Sequence, residues 1–197
     1  MLRDVGFSRA QLETYRGARL PDLLGPSTKL LFVGINPGLL TAAVQAHFAR
    51  PGNRFYPALY RAGITDRLIA AGDGYRPEDL AHLKERGVGI SNIVPLATAR
   101  ADELTREELV AGGRELITRI RCIRPTVVAV LGVTAYREAF AAPKARAGRQ
   151  PEPLGGAELW IAPNPSGLNA HAQIADLAAA YREIAVAAGI DVYPAPD

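Results

Sequence analysis

The stretch from Lys29 to Gly38 reads Lys-Leu-Leu-Phe-Val-Gly-Ile-Asn-Pro-Gly, and it decides the fold class. Its apolar residues 30–33 form a short continuous run, which is typical of a strand buried on both faces of a parallel sheet. Ligands of open α/β sheets bind beyond the carboxyl ends of the strands, so Asn36 in the following turn is a candidate site residue. An ordinary strand-ending turn remains the alternative, because Gly, Asn and Pro are common turn residues.

Length and composition restrict the classes of protein to consider. The 197 residues are 48% hydrophobic, which predicts a single globular domain over residues 1–197. With no apolar run of about 18 residues and no secretory signal, we expect a soluble protein of the cytoplasm. The lone cysteine, Cys122, excludes an intramolecular disulfide and a four-cysteine metal or iron–sulfur site supplied by this chain. The three histidines lack metal-ligand spacing, which argues against a histidine-based metal centre and leaves a mixed His/Asp site open. We expect no metal and no cofactor.

Apolar strand patterns alternate with helical patterns along the chain. This alternation predicts a three-layer α/β/α fold around a central four-stranded parallel sheet, with strands near residues 29–34, 88–94, 126–132 and 158–162. We also expect a first helix over residues 8–24, and an exposed loop over residues 143–156 because that segment is rich in Gly, Pro and basic residues.

A second Asn-Pro turn follows the last predicted strand. Residues 163–169 read Pro-Asn-Pro-Ser-Gly-Leu-Asn. Because the strands are predicted to be parallel, this turn and the one at Asn36 lie at the same edge of the sheet.

The two turns together resemble a known enzyme family. Gly34 to Gly38 and Asn164 to Leu168, with the text between them, resemble the mismatch-specific uracil-DNA glycosylase and thymine-DNA glycosylase family of the uracil-DNA glycosylase superfamily. The resemblance implies an enzyme, active as a monomer without a cofactor, that flips uracil out of a G·U mismatch in double-stranded DNA. By the same resemblance, the enzyme hydrolyses the bond between base and sugar and leaves an abasic site, with thymine and other damaged pyrimidines left open as further substrates. We therefore expect it to be associated with the nucleoid when bound to DNA.

By this resemblance, five residues form the catalytic and substrate-binding site. Asn36 orients the attacking water, and Phe48 stacks on the flipped base unless it is simply a core aromatic. Backbone N–H groups around Ile35 and Phe48 donate to the carbonyls of the leaving base. Thr41 lies near the 5-position of the pyrimidine, and Asn164 holds its loop or contacts the substrate.

The resemblance also assigns four residues to DNA binding. Ser166 and Gly167 contact phosphate or the orphaned guanine, and Leu168 is the wedge that fills the space left by the flipped base. His171 contacts phosphate or guanine. The alternatives are an apolar cap on the last helix for Leu168 and a role at the start of that helix for His171.

The sequence departs from the family pattern at two places. Pro95-Leu96 stand where an acidic residue and an arginine are often found, and Ala170 stands where a basic residue is common. The neutral amide of Asn36 cannot act as a strong general base. We therefore expect slow turnover that depends on stabilisation of the leaving group.

Two other functions stay open on the sequence alone. A non-catalytic protein of the same fold could use the wedge to bind a DNA lesion or an abasic site. A nucleotide-binding α/β protein is disfavoured, because neither Gly-x-Gly-x-x-Gly nor a P-loop lysine pattern follows the first strand.

Overall fold

The computed structural model describes residues 6–167 and 173–194. The strands are β1 (Leu30–Gly34), β2 (Val88–Asn92), β3 (Val127–Leu131), β4 (Gly148–Arg149) and β5 (Glu158–Ala162). The helices are α1 (Arg9–Glu13), α2 (Leu39–Val44), α3 (Phe55–Arg61), α4 (Pro77–Glu85), α5 (Arg106–Ile123), α6 (Val133–Ala139) and α7 (Ile174–Ala187), with a 3₁₀ turn at Ala101–Glu103. Among the described helices, none is long and apolar enough to cross a membrane.

The strands form one sheet in the order β2-β1-β3-β5-β4. The strands β2, β1, β3 and β5 are mutually parallel, and every residue of β1, β2 and β3 is buried. One apolar cluster packs α3 and α7 against one face of the sheet, and a second packs α5 and α6 against the other. The predicted three-layer α/β fold with four parallel strands is therefore confirmed.

A fifth strand extends the sheet beyond the prediction. The short β4 lies within the segment 143–156 that we expected to be an exposed loop, and it pairs antiparallel to β5 with Gly148 opposite Ile161. The Nε of Arg137 donates to the Ala145 carbonyl at 2.8 Å, which fixes the preceding turn to α6. A two-residue strand is too short to produce the alternating pattern by which strands are predicted.

The first predicted helix is much shorter than expected. α1 ends at Glu13, and the chain then turns through Gly17, which has a φ of +73°. Leu20 is buried outside any helix, and its N–H donates to the Pro95 carbonyl at 3.0 Å. Gly17 and Pro21 favour turns over a continued helix, and the segment instead packs along the loop that follows β2.

Helix α5 lies directly against the end of β2. It begins with a capping box, in which the side chains of Thr105 and Glu108 each bond the backbone of the other residue. A β-carbon added at Gly112 would lie 2.6 Å from the Ile93 carbonyl oxygen, and one at Gly113 would lie 2.9 Å from the Ala139 oxygen. The two glycines therefore allow α5 to approach the backbone closely on both sides, which fixes the loop after β2 at the edge that carries the candidate site.

Candidate active site

A cavity of about 620 Å³ opens at the carboxyl edge of the parallel strands. Both Asn-Pro loops line it, the first through residues 34–38 and the second through Pro163, Asn164 and Ser166. The other walls are the turn 98–102 and the start of α6 at residues 132–135. The two motifs that the sequence placed at one edge thus share one cavity.

Asn36 is fixed through the nitrogen of its side-chain amide. The Nδ2 donates to the Thr98 Oγ1 at 2.7 Å and to the Leu96 and Pro37 carbonyls at 3.2 Å each. The Thr98 hydroxyl donates its own proton to the Arg100 carbonyl at 2.7 Å, so its oxygen must accept from Asn36. Within residues 6–167 and 173–194 the Asn36 Oδ1 accepts no hydrogen bond, which leaves this acceptor for a ligand or a water.

Phe48 presents one ring face to the cavity. Its other face stacks on Phe55, with ring centroids 4.1 Å apart and an interplanar angle of 28°. Phe48 has a φ of +55°, which is uncommon for a residue other than glycine. A β-carbon at Gly34 would lie 3.2 Å from the ring, so the glycine of the first motif makes room for it.

The floor of the cavity carries Asn92, whose side chain contacts a buried histidine. Asn92 is 3% exposed and His47 is 3% exposed. The Asn92 Nδ2 lies 3.4 Å from the His47 Nδ1, and the His47 Nε2 lies 3.0 Å from the Pro21 carbonyl oxygen. Burial lowers the pKa of His47 to about 4, so the ring is neutral near pH 7.

Two tyrosines hold the backbone of the segment that carries Phe48. The Tyr56 hydroxyl donates to the His47 carbonyl at 2.8 Å, and the His47 N–H donates to the Tyr75 hydroxyl oxygen at 3.1 Å. The two hydroxyls lie 2.6 Å apart. Burial raises the pKa of Tyr75 to about 12 and that of Tyr56 well above its usual value. Both phenols therefore stay protonated and fix the chain on either side of His47.

An arginine holds the end of β2. Arg119 on α5 donates to the Asn92 carbonyl and to the Ser91 Oγ, at 2.7 Å in both cases. Its Nη1 also pairs with the Asp22 carboxylate at 3.1 Å. Both side chains of this ion pair are largely buried. The network fixes the backbone from which Asn92 reaches the cavity floor.

The second Asn-Pro loop is held from within and by the segment before α3. The Asn164 Oδ1 accepts a hydrogen bond from the Ser166 N–H at 3.0 Å, which closes a tight turn. The Arg54 Nη2 donates to the Gly167 carbonyl at 3.3 Å. A β-carbon at Gly167 would lie 2.7 Å from the Gly52 oxygen, so the two segments touch through their backbones.

The turn 98–102 at the cavity carries an ion pair. Two of the three guanidinium nitrogens of Arg100 donate to the Asp102 carboxylate, Nε to Oδ1 at 2.9 Å and Nη2 to Oδ2, and both side chains are exposed. The bond from Arg100 lowers the pKa of Asp102, which is therefore ionised at neutral pH. In the described residues no three His, Cys, Asp or Glu side chains come together as a metal site requires.

The structure brings together most of the residues that the sequence selected. The cavity is lined by Ile35, Asn36, Thr41, Phe48, Asn164 and Ser166. Gly167 is exposed next to Arg54, and Leu168 and His171 lie outside the described residues. The catalytic and binding roles of all these residues stay predictions.

Sequence reasoning assigned no role to three residues at the site. Asn92 was visible as a polar residue at the end of a buried strand, which is the signal that also selected Asn36. Thr98 and His47 carried no comparable signal, because a threonine in a loop and a histidine in a helical stretch are common.

Comparisons with known proteins agree with this arrangement. A family model described as the uracil DNA glycosylase superfamily matches residues 21–185. The chain is also similar to the solution NMR structure of a candidate uracil DNA glycosylase from Methanosarcina acetivorans, with a TM-score of 0.56 and 18% identity over 86% of this chain and 98% of that chain. At that identity the likeness concerns the fold alone. The family match covers most of the chain, and the chain therefore belongs to the uracil-DNA glycosylase superfamily, whose members act on DNA.

Proposed function

We propose that the protein is a mismatch-specific uracil-DNA glycosylase, acting as a monomer on G·U pairs in double-stranded DNA. The observation that carries this proposal is the convergence of Asn36, Phe48 and Asn92 on one cavity between the two Asn-Pro loops. A cavity of about 620 Å³ has room for a flipped pyrimidine and part of its sugar.

Recognition of the base begins with the exposed face of Phe48. Stacking on an aromatic ring holds any base, so selectivity needs polar contacts in addition. The Asn92 amide offers an acceptor and a donor side by side, which matches the N3–H and O4 of uracil. Thr41 also lines the cavity, and we assign it to the wall near the 5-position of the base.

Hydrolysis then requires a water aimed at the sugar. The Asn36 Oδ1 accepts a hydrogen bond from this water and orients its oxygen toward C1′. As the C1′–O bond forms, the C1′–N1 bond breaks and its electron pair leaves with the base. A neutral amide removes no proton from the water, so the proton is lost to solvent or to the departing base.

The departing base is an anion that backbone donors can stabilise. Among the described residues, the N–H groups of Ile35 and Phe48 donate to no other group of the protein. Both residues line the cavity, so their N–H groups are suited to a base carbonyl on which negative charge develops. The rim carboxylate Asp102 is held by Arg100, which makes it a poor base. The reaction therefore depends on leaving-group stabilisation, and turnover is slow.

The duplex is bound outside the cavity. Ser166 and Gly167 offer a hydroxyl and backbone groups to phosphate or to the orphaned guanine, and Arg54 lies beside them. Leu168 remains the proposed wedge, and His171 a proposed contact to phosphate or guanine.

The test is release of base from labelled duplexes that carry G·U, G·T or A·U, and from single-stranded DNA that carries U, with no metal added. We expect the fastest release from G·U. The matched control is Asn36→Ala, which should bind the G·U duplex as well as the wild type does but release little base. If the wild type binds these DNAs but releases uracil from none of them, the protein is a non-catalytic lesion binder instead.

A further inference from the structure

His47 takes no part in the proposed chemistry, yet it contacts a residue that does. Its ring is enclosed between the Pro21 carbonyl and the Asn92 amide, and it is 3% exposed. It therefore contacts no solvent-borne ligand directly and can influence the reaction through Asn92.

The position of the imidazole proton follows from its two partners. The Pro21 carbonyl oxygen can only accept, so the His47 Nε2, 3.0 Å away, carries the proton and donates it. In the neutral ring Nδ1 then holds a lone pair and can only accept. The group 3.4 Å from Nδ1 must be a donor, which is the Nδ2 of Asn92.

This arrangement leaves a single favourable orientation for the Asn92 amide. Rotating the amide by 180° would place Oδ1 against the Nδ1 lone pair and break the hydrogen bond. In the favoured orientation Oδ1 lies beside Gly34, where an added β-carbon would be 2.7 Å from it. Gly34 lines the cavity, so Oδ1 faces the space that a base would enter.

We propose that His47 is a positioning residue that makes the site choose uracil over cytosine, because it fixes which end of the Asn92 amide faces the base. This inference rests on the proposed function. Uracil presents a donor at N3 and an acceptor at its 4-position, whereas cytosine presents an acceptor at N3 and a donor at its 4-position. An amide that is free to rotate satisfies either pattern, and an amide held by His47 satisfies the uracil pattern.

The surroundings keep the ring in the required form. Burial holds His47 neutral, with a pKa of about 4, although the nearby Asp22 favours the charged ring. Tyr56 and Tyr75, which bond the His47 backbone, stay protonated and uncharged. Near neutral pH the Nδ1 acceptor is therefore always available.

The experiment compares release of 5-fluorouracil and 5-fluorocytosine, each placed opposite guanine in the same duplex. Fluorine makes both bases better leaving groups, so that both rates are measurable. His47→Leu removes the acceptor, and His47→Asn can restore it by placing Oδ1 at the position of Nδ1. We expect His47→Leu to lower the ratio of kcat/KM for the two bases by about tenfold, the equivalent of one hydrogen bond. His47→Asn should keep the ratio within about a factor of two.

The other outcomes distinguish failure of the role inferred for His47 from failure of the proposed glycosylase function. An unchanged ratio in His47→Leu, even if both rates fall, would overturn the inference and make His47 a packing residue. An equal loss of the ratio in His47→Asn would also overturn it, because the acceptor would not be the cause. If circular dichroism shows that His47→Leu is unfolded, His47→Phe replaces it, because phenylalanine also lacks the acceptor. Absence of release by the wild type from both duplexes would instead reject the proposed function, and this inference with it.

Discussion

The two Asn-Pro loops each follow a parallel strand at the same edge of the sheet, yet the bonds that shape them use opposite ends of the asparagine amide. In the first loop Asn36 donates through Nδ2 to the turn that contains Leu96 and Thr98. In the second, Asn164 accepts through Oδ1 from the N–H of Ser166, two residues along the chain. Among the described residues, the Oδ1 of Asn36 is thus left without a hydrogen bond at the cavity, whereas the Oδ1 of Asn164 accepts one within its own loop.

An asparagine in a strand-ending turn therefore has no fixed role, because the role depends on which partner binds its amide. Asn36 is held by a distant turn, so its oxygen is available to orient water. Asn164 accepts from the N–H of Ser166 in its own loop, and this bond shapes the segment that carries Ser166 and Gly167. The proposed function therefore divides chemistry and DNA contact between two loops that each contain an Asn-Pro step.

The largest expected effect is on the rate of base release, which should fall far more in Asn36→Ala than in Asn164→Ala. Asn36→Ala removes the acceptor that orients water, and we expect base release from G·U to fall at least about 100-fold. Asn164→Ala loosens a turn, so we expect about a fivefold loss of duplex affinity. Single-turnover base release at saturating enzyme measures the first effect, and fluorescence anisotropy measures the second. Equal rate losses in the two variants would contradict the division of roles.

Aspartate at the two positions should change the free energy of unfolding by different amounts. Asn36→Asp sets a carboxylate against the Leu96 and Pro37 carbonyls, so we expect a loss of about 2 kcal/mol in the free energy of unfolding at pH 7. Asn164→Asp keeps the acceptor for the Ser166 N–H, so we expect it to lower that energy by less than Asn36→Asp does. Urea unfolding measures both.

The pH dependence of Asn36→Asp follows from the same contacts. Carbonyl oxygens around the new carboxylate raise its pKa in the folded state above the unfolded value of about 3.9. Protonation is then favoured by folding, so the deficit relative to wild type should be small at pH 4 and grow as pH rises. The same contacts prevent the new carboxylate from acting as a well-placed base. A rate above wild type at pH 7 would show that the missing carboxylate is what limits the enzyme.

The smallest expected effect comes from removing the hydrogen bond between Asn36 and Thr98 in the first loop. Thr98→Val keeps the shape of the side chain but removes the oxygen that accepts from Asn36. The amide then loses its shortest hydrogen bond, and we expect base release to fall about fivefold with duplex affinity unchanged. Thr118→Val, on the exposed side of α5, is the matched control. Similar rates for both variants would show that the Leu96 and Pro37 carbonyls suffice to hold Asn36.

Much of the fold could be predicted because its signals are local. The apolar runs of β1 and β3, the capping box at Thr105 and the alternation of strands and helices lie within short windows of sequence. The short β4 and the turns after α1 could not be predicted in this way. Two residues of strand carry no periodicity, and the backbone between Gly17 and Leu20 is fixed by its hydrogen bonds to the loop after β2.

The site could be predicted in part for the same reason. Asn36 and Asn164 each follow a buried strand, so parallel strands bring them to one edge. Thr98 and His47 could not be selected, because their importance comes from partners far away in the sequence. Asn36 and Thr98 are 62 residues apart, and His47 and Asn92 are 45 residues apart.

The sequence by itself determined the α/β class, the shared edge of the two Asn-Pro loops and the absence of a strong base at position 36. These features depend on residue type and on short-range pattern. The tertiary structure alone decided which end of the Asn36 and Asn92 amides the protein itself binds. An amide has a donor end and an acceptor end of nearly equal size, and it is the hydrogen-bonding partner supplied by the fold that determines which end is left for the substrate.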